Sequence, residues 1–195
     1  MHTVNFTRME DGTREEYEFL DRKEQEFTAG LPDRIMASLR KLEHSISGYR
    51  INRLEHSLQG ATRAQRAGES DEFIVSVLLH DIGDDLAPYS HSEMAAAILR
   101  PFVSEKLYWI VKHHGVFQMY YYAHHCGGDR NAREKFKDNP WYQDAVDFCH
   151  NYDQNCFDPD YDSEPLEFFE PILRRVMARP SMEDPEQVAR YGASS

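Results

Sequence analysis

The chain has 195 residues, of which 41% are hydrophobic and 29% charged, and its formal net charge is -12. Those values exclude a disordered, collagen-like or disulfide-scaffold chain and predict a single globular domain with its own core. The acidic balance argues against nucleic acid and anionic membrane surfaces as partners, since neither attracts a negative body.

No apolar run approaches the roughly 20 residues of a membrane span. The opening stretch "MHTVNFTRMEDGTREEYEF" is polar and acidic, without the apolar region of a signal peptide or the character of a transit peptide. Cys126, Cys149 and Cys156 are too few and too scattered for a disulfide framework. A reducing cytoplasm is the expected location.

Helical periodicity dominates and no segment reads as a strand, so the expected fold class is all-α. "DGTREEYEFLDRKEQEFTAG" reads as a charged helix with Tyr17, Leu20 and Phe27 on its apolar side and Gly30 at its end. In "LPDRIMASLRKLEHSISG", Leu31, Ile35, Met36, Leu39, Leu42 and Ile46 form one helical stripe, and Gly48 stops it. A third helix over about 51–67 carries Ala61, Ala64 and Ala67, small enough for close packing, and ends at Gly68. Ser70 is placed to cap the apolar helix of "FIVSVLLHDIGDDL", residues 73–86.

After Gly83 the chain turns, and a helix runs from about 91 to 100 until Pro101 breaks it. Ser104 can cap "EKLYWIVKHHGVFQMYYYAHH", with Leu107, Ile110, Val111, Phe117 and Tyr121 facing inward. "CGGDRNA" reads as a loop, and Asn139-Pro140 as a cap with proline at the first helical position of the next helix. "FDPDYDSEP" is an acidic, turn-rich connection, and "LEFFEPILRRVM" is a last helix with a kink expected at Pro171. Residues 179–195 are polar and read as a frayed tail.

The chemistry gathers around His80-Asp81. Two polar side chains at the end of an apolar helix are costly unless they pair with each other or ligate a metal. His56 lies on the preceding helix, His91 opens the following one, His113-His114 lies on the next, and Asp153 closes "HNYDQN". Imidazoles offer neutral nitrogen donors, and a carboxylate can bridge two cations. One or two such residues per helix is how bundles build metal sites. Four histidines and two aspartates suit two iron or manganese ions better than one zinc, which prefers a closed four-coordinate shell.

The run "INRLEHSLQGATRAQRAGESDEFIVSVLLHDIG" resembles the HD-domain superfamily, and within it the branch of mixed-valent diiron oxygenases that act on hydroxylated phosphonates, relatives of myo-inositol oxygenase. The similarity is strong over residues 46–115, about a third of the chain, and thinner through "HNYDQN". It implies a single HD-domain helical bundle over 31–178, preceded by a helical extension over 1–30. It further implies that His56, His80, Asp81 and Asp153 hold one iron, and that Asp81 bridges to a second iron held by His91 and His114. His114 is preferred to His113 because Gly115-Val116 follows it, as a small or apolar turn follows the family's ligand.

By the same resemblance, the cofactors are two iron ions as Fe(II)/Fe(III), and O2 is co-substrate. The implied reaction is oxidative cleavage of the carbon–phosphorus bond of a small 1-hydroxyalkylphosphonate. The expected substrate is 1-hydroxy-2-(trimethylamino)ethylphosphonate, giving glycine betaine and phosphate. Gln59, one turn after His56, matches a residue that contacts the substrate's acidic group. Tyr49 falls where one member has a glutamate plugging the vacant iron position, so it is expected as a lid or phenol ligand, or else as a packing tyrosine.

Departures from the pattern bear on the substrate. Several members read HDIGH or HDIGK, whereas Asp84 follows here; Gln118 stands where a relative has lysine, and His150 where it has arginine. Arg50, Arg53, Lys112, Arg130 and Arg133 are the cations available to substitute. Trp109, Tyr120 and the other aromatics of "VFQMYYYAHH" and "NPWYQ" could box a quaternary ammonium, with Asp84 favouring its charge, or could simply be core. The competing functions are an HD-type metal-dependent phosphohydrolase acting on a nucleotide or phosphoester, and a non-catalytic ligand-binding HD module. The partner is a small molecule in either enzymatic reading.

Overall fold

A computed structural model describes residues 3–178 of the chain, so the polar tail expected over 179–195 lies outside the described residues. All regular structure among them is helical: α1 (Arg14–Ala29), α2 (Leu31–Lys41), α3 (Arg53–Arg66), α4 (Asp71–Leu79), α5 (His91–Leu99), α6 (Glu105–Tyr122), α7 (Tyr142–Tyr152) and α8 (Leu166–Met177), with short 3-10 turns between.

Local chemistry starts most of these helices. Thr13 and Glu16 form a reciprocal capping box on α1, and Asn52 and Glu55 form another on α3. Ser70 and Ser104 accept from Phe73 and Leu107 to cap α4 and α6. Helix α7 departs from expectation. It begins at Tyr142, after Trp141, because the Asn139 carboxamide accepts from the Trp141 N–H and holds Pro140 in the turn before the helix. Helix α8 runs across Pro171 without interruption.

The apolar patterns sort the helices by depth. Residues Ile74 to Leu79 of α4 are buried on every side, the signature of a central helix, and α4 packs against α3, α5, α6 and α8. On α2, Ile35, Met36 and Leu39 face this core, joined by Leu42 of the following turn. Ile46 does not join the stripe: α2 ends at Lys41, and Ile46 is 56% exposed. Helix α1 buries none of its residues, and Phe27 is exposed, its ring covered by the Arg34 guanidinium 3.8 Å from the centroid. No helix among the described residues is long and apolar enough to cross a membrane.

Two features place the site. Ala61, Ala64 and Gly60 let α3 approach closely; a Cβ built on Gly60 would lie 2.4 Å from the Tyr152 carbonyl and 2.8 Å from Val77. The acidic segment after α7 is stitched onto α3: Arg63 donates to the Asn155 carbonyl, Arg66 to the Asp162 carbonyl, and Thr62 accepts from the Glu164 N–H. Helix α3 is thereby clamped to both α7 and the loop beyond it. Gly60→Ala is expected to destabilise the fold by about 2 kcal/mol or more, as over-packing against backbone does, with urea denaturation as the measurement.

Candidate metal centre

His80 and Asp81 follow directly on α4, where the helix runs out of partners for its last carbonyls. The His80 Nδ1 takes one of them, meeting the Val77 carbonyl at 2.7 Å, which turns Nε2 inward. His56 on α3 does the same with the Cys156 carbonyl at 2.9 Å, and His114 on α6 with the Val111 carbonyl at 2.7 Å. Because a carbonyl can only accept, each Nδ1 must carry a proton. Each Nε2 in the neutral ring is then a bare lone pair.

Those lone pairs converge. The Nε2 atoms of His56 and His80 face each other at 3.2 Å, with Asp153 Oδ1 at 3.3 Å from the first and 3.8 Å from the second. Asp81 completes the group, its Oδ2 at 3.5 Å from His56 and 3.4 Å from His80. The other oxygen, Oδ1, turns to a second pair: His114 Nε2 at 3.3 Å and His91 Nε2 at 3.5 Å. One carboxylate therefore serves two imidazole pairs, one with each oxygen.

Burial sharpens the demand. His56, His80, Asp81, His114 and Asp153 are all buried, while the His91 side chain is 26% exposed. No hydrogen bond reaches Asp81 Oδ2 or Asp153 Oδ2 among the described residues, and only the ion-pair approach of Arg53 Nη1, at 3.3 Å, meets the first from a cation. Acceptors facing acceptors with orphaned carboxylate oxygens between them are unstable without a cation or protons. This donor set of nitrogen and oxygen suits divalent or trivalent first-row metals, and three overlapping groups have the spacing to hold them: His56, His80, Asp81; His80, His114, Asp153; and Asp81, His91, His114.

The ionisation follows the same logic. Burial pushes the Asp81 carboxyl up, but His80, the contact with His114, and His56 outweigh it and hold it well below the usual carboxylate range. Asp153 is likewise depressed against its burial by His56 and His80. Burial lowers His56 and His80, yet Asp153 and Asp81 leave both above the ordinary imidazole value. His91, more weakly paired, is held below it by burial.

Around the cluster the sequence expectations divide. His114 is the inward residue of its pair, although α6 does not turn at Gly115 but continues to Tyr122. His113 instead packs between Trp109 and Phe136, with each ring centroid 4.6 Å away. Gln118 reaches the site and donates to Asp153 Oδ1 at 2.6 Å, so it orients a carboxylate. Asp84 is not free to meet a positive ligand. It pairs with Arg53 Nε at 2.9 Å and faces His91 Nδ1 at 3.5 Å, and its raised pKa reflects burial first and Asp81 second, against Arg53.

Four expected substrate contacts fall elsewhere. Both ends of the Gln59 amide are committed to the backbone of Asp158, at 2.6 and 3.2 Å. His150 is exposed on α7 and meets the Tyr121 hydroxyl at 3.2 Å. Tyr120 has Arg130 and Arg133 over its ring, and Trp109 packs among His113, Phe117, Phe136 and Trp141. Those rings form no ammonium box. Tyr49 does not reach the cluster: its ring stacks on Phe157 at 5.0 Å, and Phe157 in turn stacks on His56 at 4.5 Å.

Sequence reading left two contributors out of the site. Arg53, considered only as a spare cation, places Nη1 3.3 Å from Asp81 Oδ2, and its position one turn before His56 on α3 is the signal that would have found it. Phe157, the hydrophobic cover over His56, sits in an aperiodic loop that offers no such signal.

The family model described as "HD domain" matches residues 53–147, just under half of the chain, a stretch that includes the buried His80-Asp81 couple. The chain is also 32% identical over 106 residues to the [1-hydroxy-2-(trimethylamino)ethyl]phosphonate dioxygenase (glycine-betaine-forming) of Leisingera caerulea. That match covers 49% of this chain and 51% of the relative, so it spans about half the length of each.

Metal and proton compete for the same Nε2 lone pairs, and the acids raise the proton affinity of His56 and His80. Metal affinity is therefore expected to fall as pH drops from about 8 to about 6, measured by competition against a chelator of known constants. Metal analysis of variants is expected to show Asp81→Ala losing both ions and His91→Ala retaining one. Retention of two ions by Asp81→Ala would show that the carboxylate does not bridge.

Proposed function

We propose that this chain is an iron- and O2-dependent oxygenase that cleaves the carbon–phosphorus bond of a small 1-hydroxyalkylphosphonate. The best candidate substrate is 1-hydroxy-2-(trimethylamino)ethylphosphonate, converted to glycine betaine and phosphate. The observation that carries the reading is the Asp81 carboxylate offering one oxygen to each of two imidazole pairs, a donor arrangement made for two adjacent cations. The partial likeness to a dioxygenase of that substrate supports the choice of chemistry.

In this reading His56, His80, Asp81 and Asp153 hold one iron, and Asp81, His91 and His114 hold the other. When bound, the Fe(II)/Fe(III) pair supplies redox chemistry with O2 that no side chain can perform. The overall change balances with one O2: a carbinol carbon bearing a phosphonate becomes a carboxylate, and phosphorus leaves as phosphate. The protein's part is placement. The Val77, Val111 and Cys156 carbonyls fix the imidazole tautomers, and Gln118 fixes Asp153. Phe157, with Tyr49 stacked outside it, keeps water from the His56 side.

A phosphohydrolase would use the same donors, with metal-bound water as nucleophile. The position after HDIG disfavours it, because Asp84 is tied to Arg53 and adds no imidazole or ammonium group to meet a phosphoester. The three cysteines are free thiols, consistent with a reducing cytoplasm.

The test is purification from iron-supplemented cells, metal counting, and electron paramagnetic resonance after partial reduction. Two irons per chain, a mixed-valent signal that shifts on adding 1-hydroxy-2-(trimethylamino)ethylphosphonate, and O2-dependent phosphate release are expected. Zinc or manganese with phosphoesterase turnover, and no such signal, would overturn the reading.

A further inference from the structure

The loop between α6 and α7 contains two arginines that the metal centre does not use. Arg130 and Arg133 both lie over the Tyr120 ring, with guanidinium carbons 4.3 and 3.7 Å from its centroid. Two cations sharing one ring repel each other, and the π-face offsets only part of that cost. The Arg133 side chain is only 11% exposed. Its Nε and Nη1, and the Nε of Arg130, are buried with no hydrogen-bond acceptor among the described residues.

Counter-charge is scarce here, in a chain whose net charge is -12. Among the described residues the carboxylate in ion-pair range of Arg133 is Glu134, at 3.9 Å, and it already accepts from the Tyr142 hydroxyl at 2.7 Å. The other site-facing arginine, Arg53, has two carboxylates to itself. A guanidinium this buried, with its one acid in range 3.9 Å away, is poorly compensated, and its natural complement is an anion from outside.

The position of Arg133 ties it to the centre. Arg133 lies over Tyr120 of α6, and its neighbour Glu134 accepts from Tyr142, the first residue of α7, so the guanidinium lies between these two helices. Helix α6 thus carries both Tyr120, which lies under the arginines, and Gln118, which holds Asp153.

We propose that Arg133 and Arg130, laid over Tyr120, form a subsite for a tetrahedral oxyanion of the phosphonate or phosphate type. Assigning that anion to the substrate rests on the oxygenase reading; the subsite itself does not. Planar guanidinium forks match such oxygens, and the tyrosine ring holds both forks in place.

The test is calorimetric titration of the full chain, metal-loaded and chelator-treated, with methylphosphonate and with inorganic phosphate in separate arms. Both preparations are expected to bind, since the arginines do not depend on the metals. Arg133→Gln is expected to weaken binding at least tenfold and Arg133→Lys by less, because lysine keeps the charge and loses the fork. Tighter binding of methylphosphonate assigns the site to substrate, and tighter binding of phosphate assigns it to a free ion or product. The thermal midpoint of Arg133→Gln is expected to hold or rise, because an uncompensated charge has been removed; a purely structural arginine would lower it. Should that variant fail to fold, Arg130→Gln gives the same readout.

Unchanged affinity in the arginine variants would overturn the subsite. If hydroxyphosphonate cleavage continues with normal KM in Arg133→Gln, the assignment of the anion to the substrate falls and the oxygenase reading stands. Arginine-dependent anion binding by a chain that cleaves no hydroxyphosphonate leaves the subsite and removes the oxygenase reading.

Discussion

A single carboxylate organises this bundle. Asp81 is buried, and a buried carboxylate costs several kcal/mol unless charge and hydrogen bonds surround it. Here the compensation comes from four imidazoles and one guanidinium carried by α3, α5, α6 and the end of α4. Each must arrive within a few ångströms, so the packing of those helices is constrained by one side chain. The close approaches follow from this demand. Gly60 admits the Tyr152 carbonyl, next to Asp153, and a Cβ on Gly83 would lie 2.6 Å from the backbone of His91. Larger residues at either position would pull a donor out of the cluster.

The same demand explains the acid after the HDIG motif. A carboxylate at position 84, close to Asp81, raises its own protonation and adds negative charge to a site already rich in it. Arg53 resolves the conflict by touching both acids, one through Nε and one through Nη1. Position 84 and position 53 therefore act as a unit: without Asp84, Arg53 would keep only Asp81 as a counter-charge, and without Arg53, two neighbouring acids would repel.

Much of this was legible in the sequence because it is periodic or chemically loud. Helices α4 and α6 announce themselves through apolar residues behind Ser caps, and α2 through apolar spacing alone. His56, His80, Asp81, His91, His114 and Asp153 stand out as polar residues on otherwise apolar helices, and the structure brings all six together. The illegible part lies where a side chain's partner is backbone from a distant loop. Gln59 looks free on α3 until the Asp158 backbone takes both ends of its amide. Tyr120 and Trp109 look like a ligand box until Arg130, Arg133 and Phe136 fill the space beside them. Phe27 looks like core because the spacing suits, but α1 has little to pack against. Pattern reports which face of a helix is apolar, and not what arrives to cover it.

The two halves of the cluster differ in a way that composition does not show. His56, His80 and Asp153 are at most 1% exposed, with Phe157 stacked on His56, whereas the His91 side chain is 26% exposed. Charge follows accessibility: the carboxylates raise the His56 and His80 ionisations, while burial with weaker pairing leaves His91 depressed. A cation on the first side would be held by four buried residues, His56, His80, Asp81 and Asp153, and would give up its ligands reluctantly. A cation on the second side would be held by His91, His114 and Asp81 beside the partly exposed His91 edge, which would leave room for an exchangeable ligand. Because both sides share Asp81, whatever binds at the open edge also alters the field at the closed one.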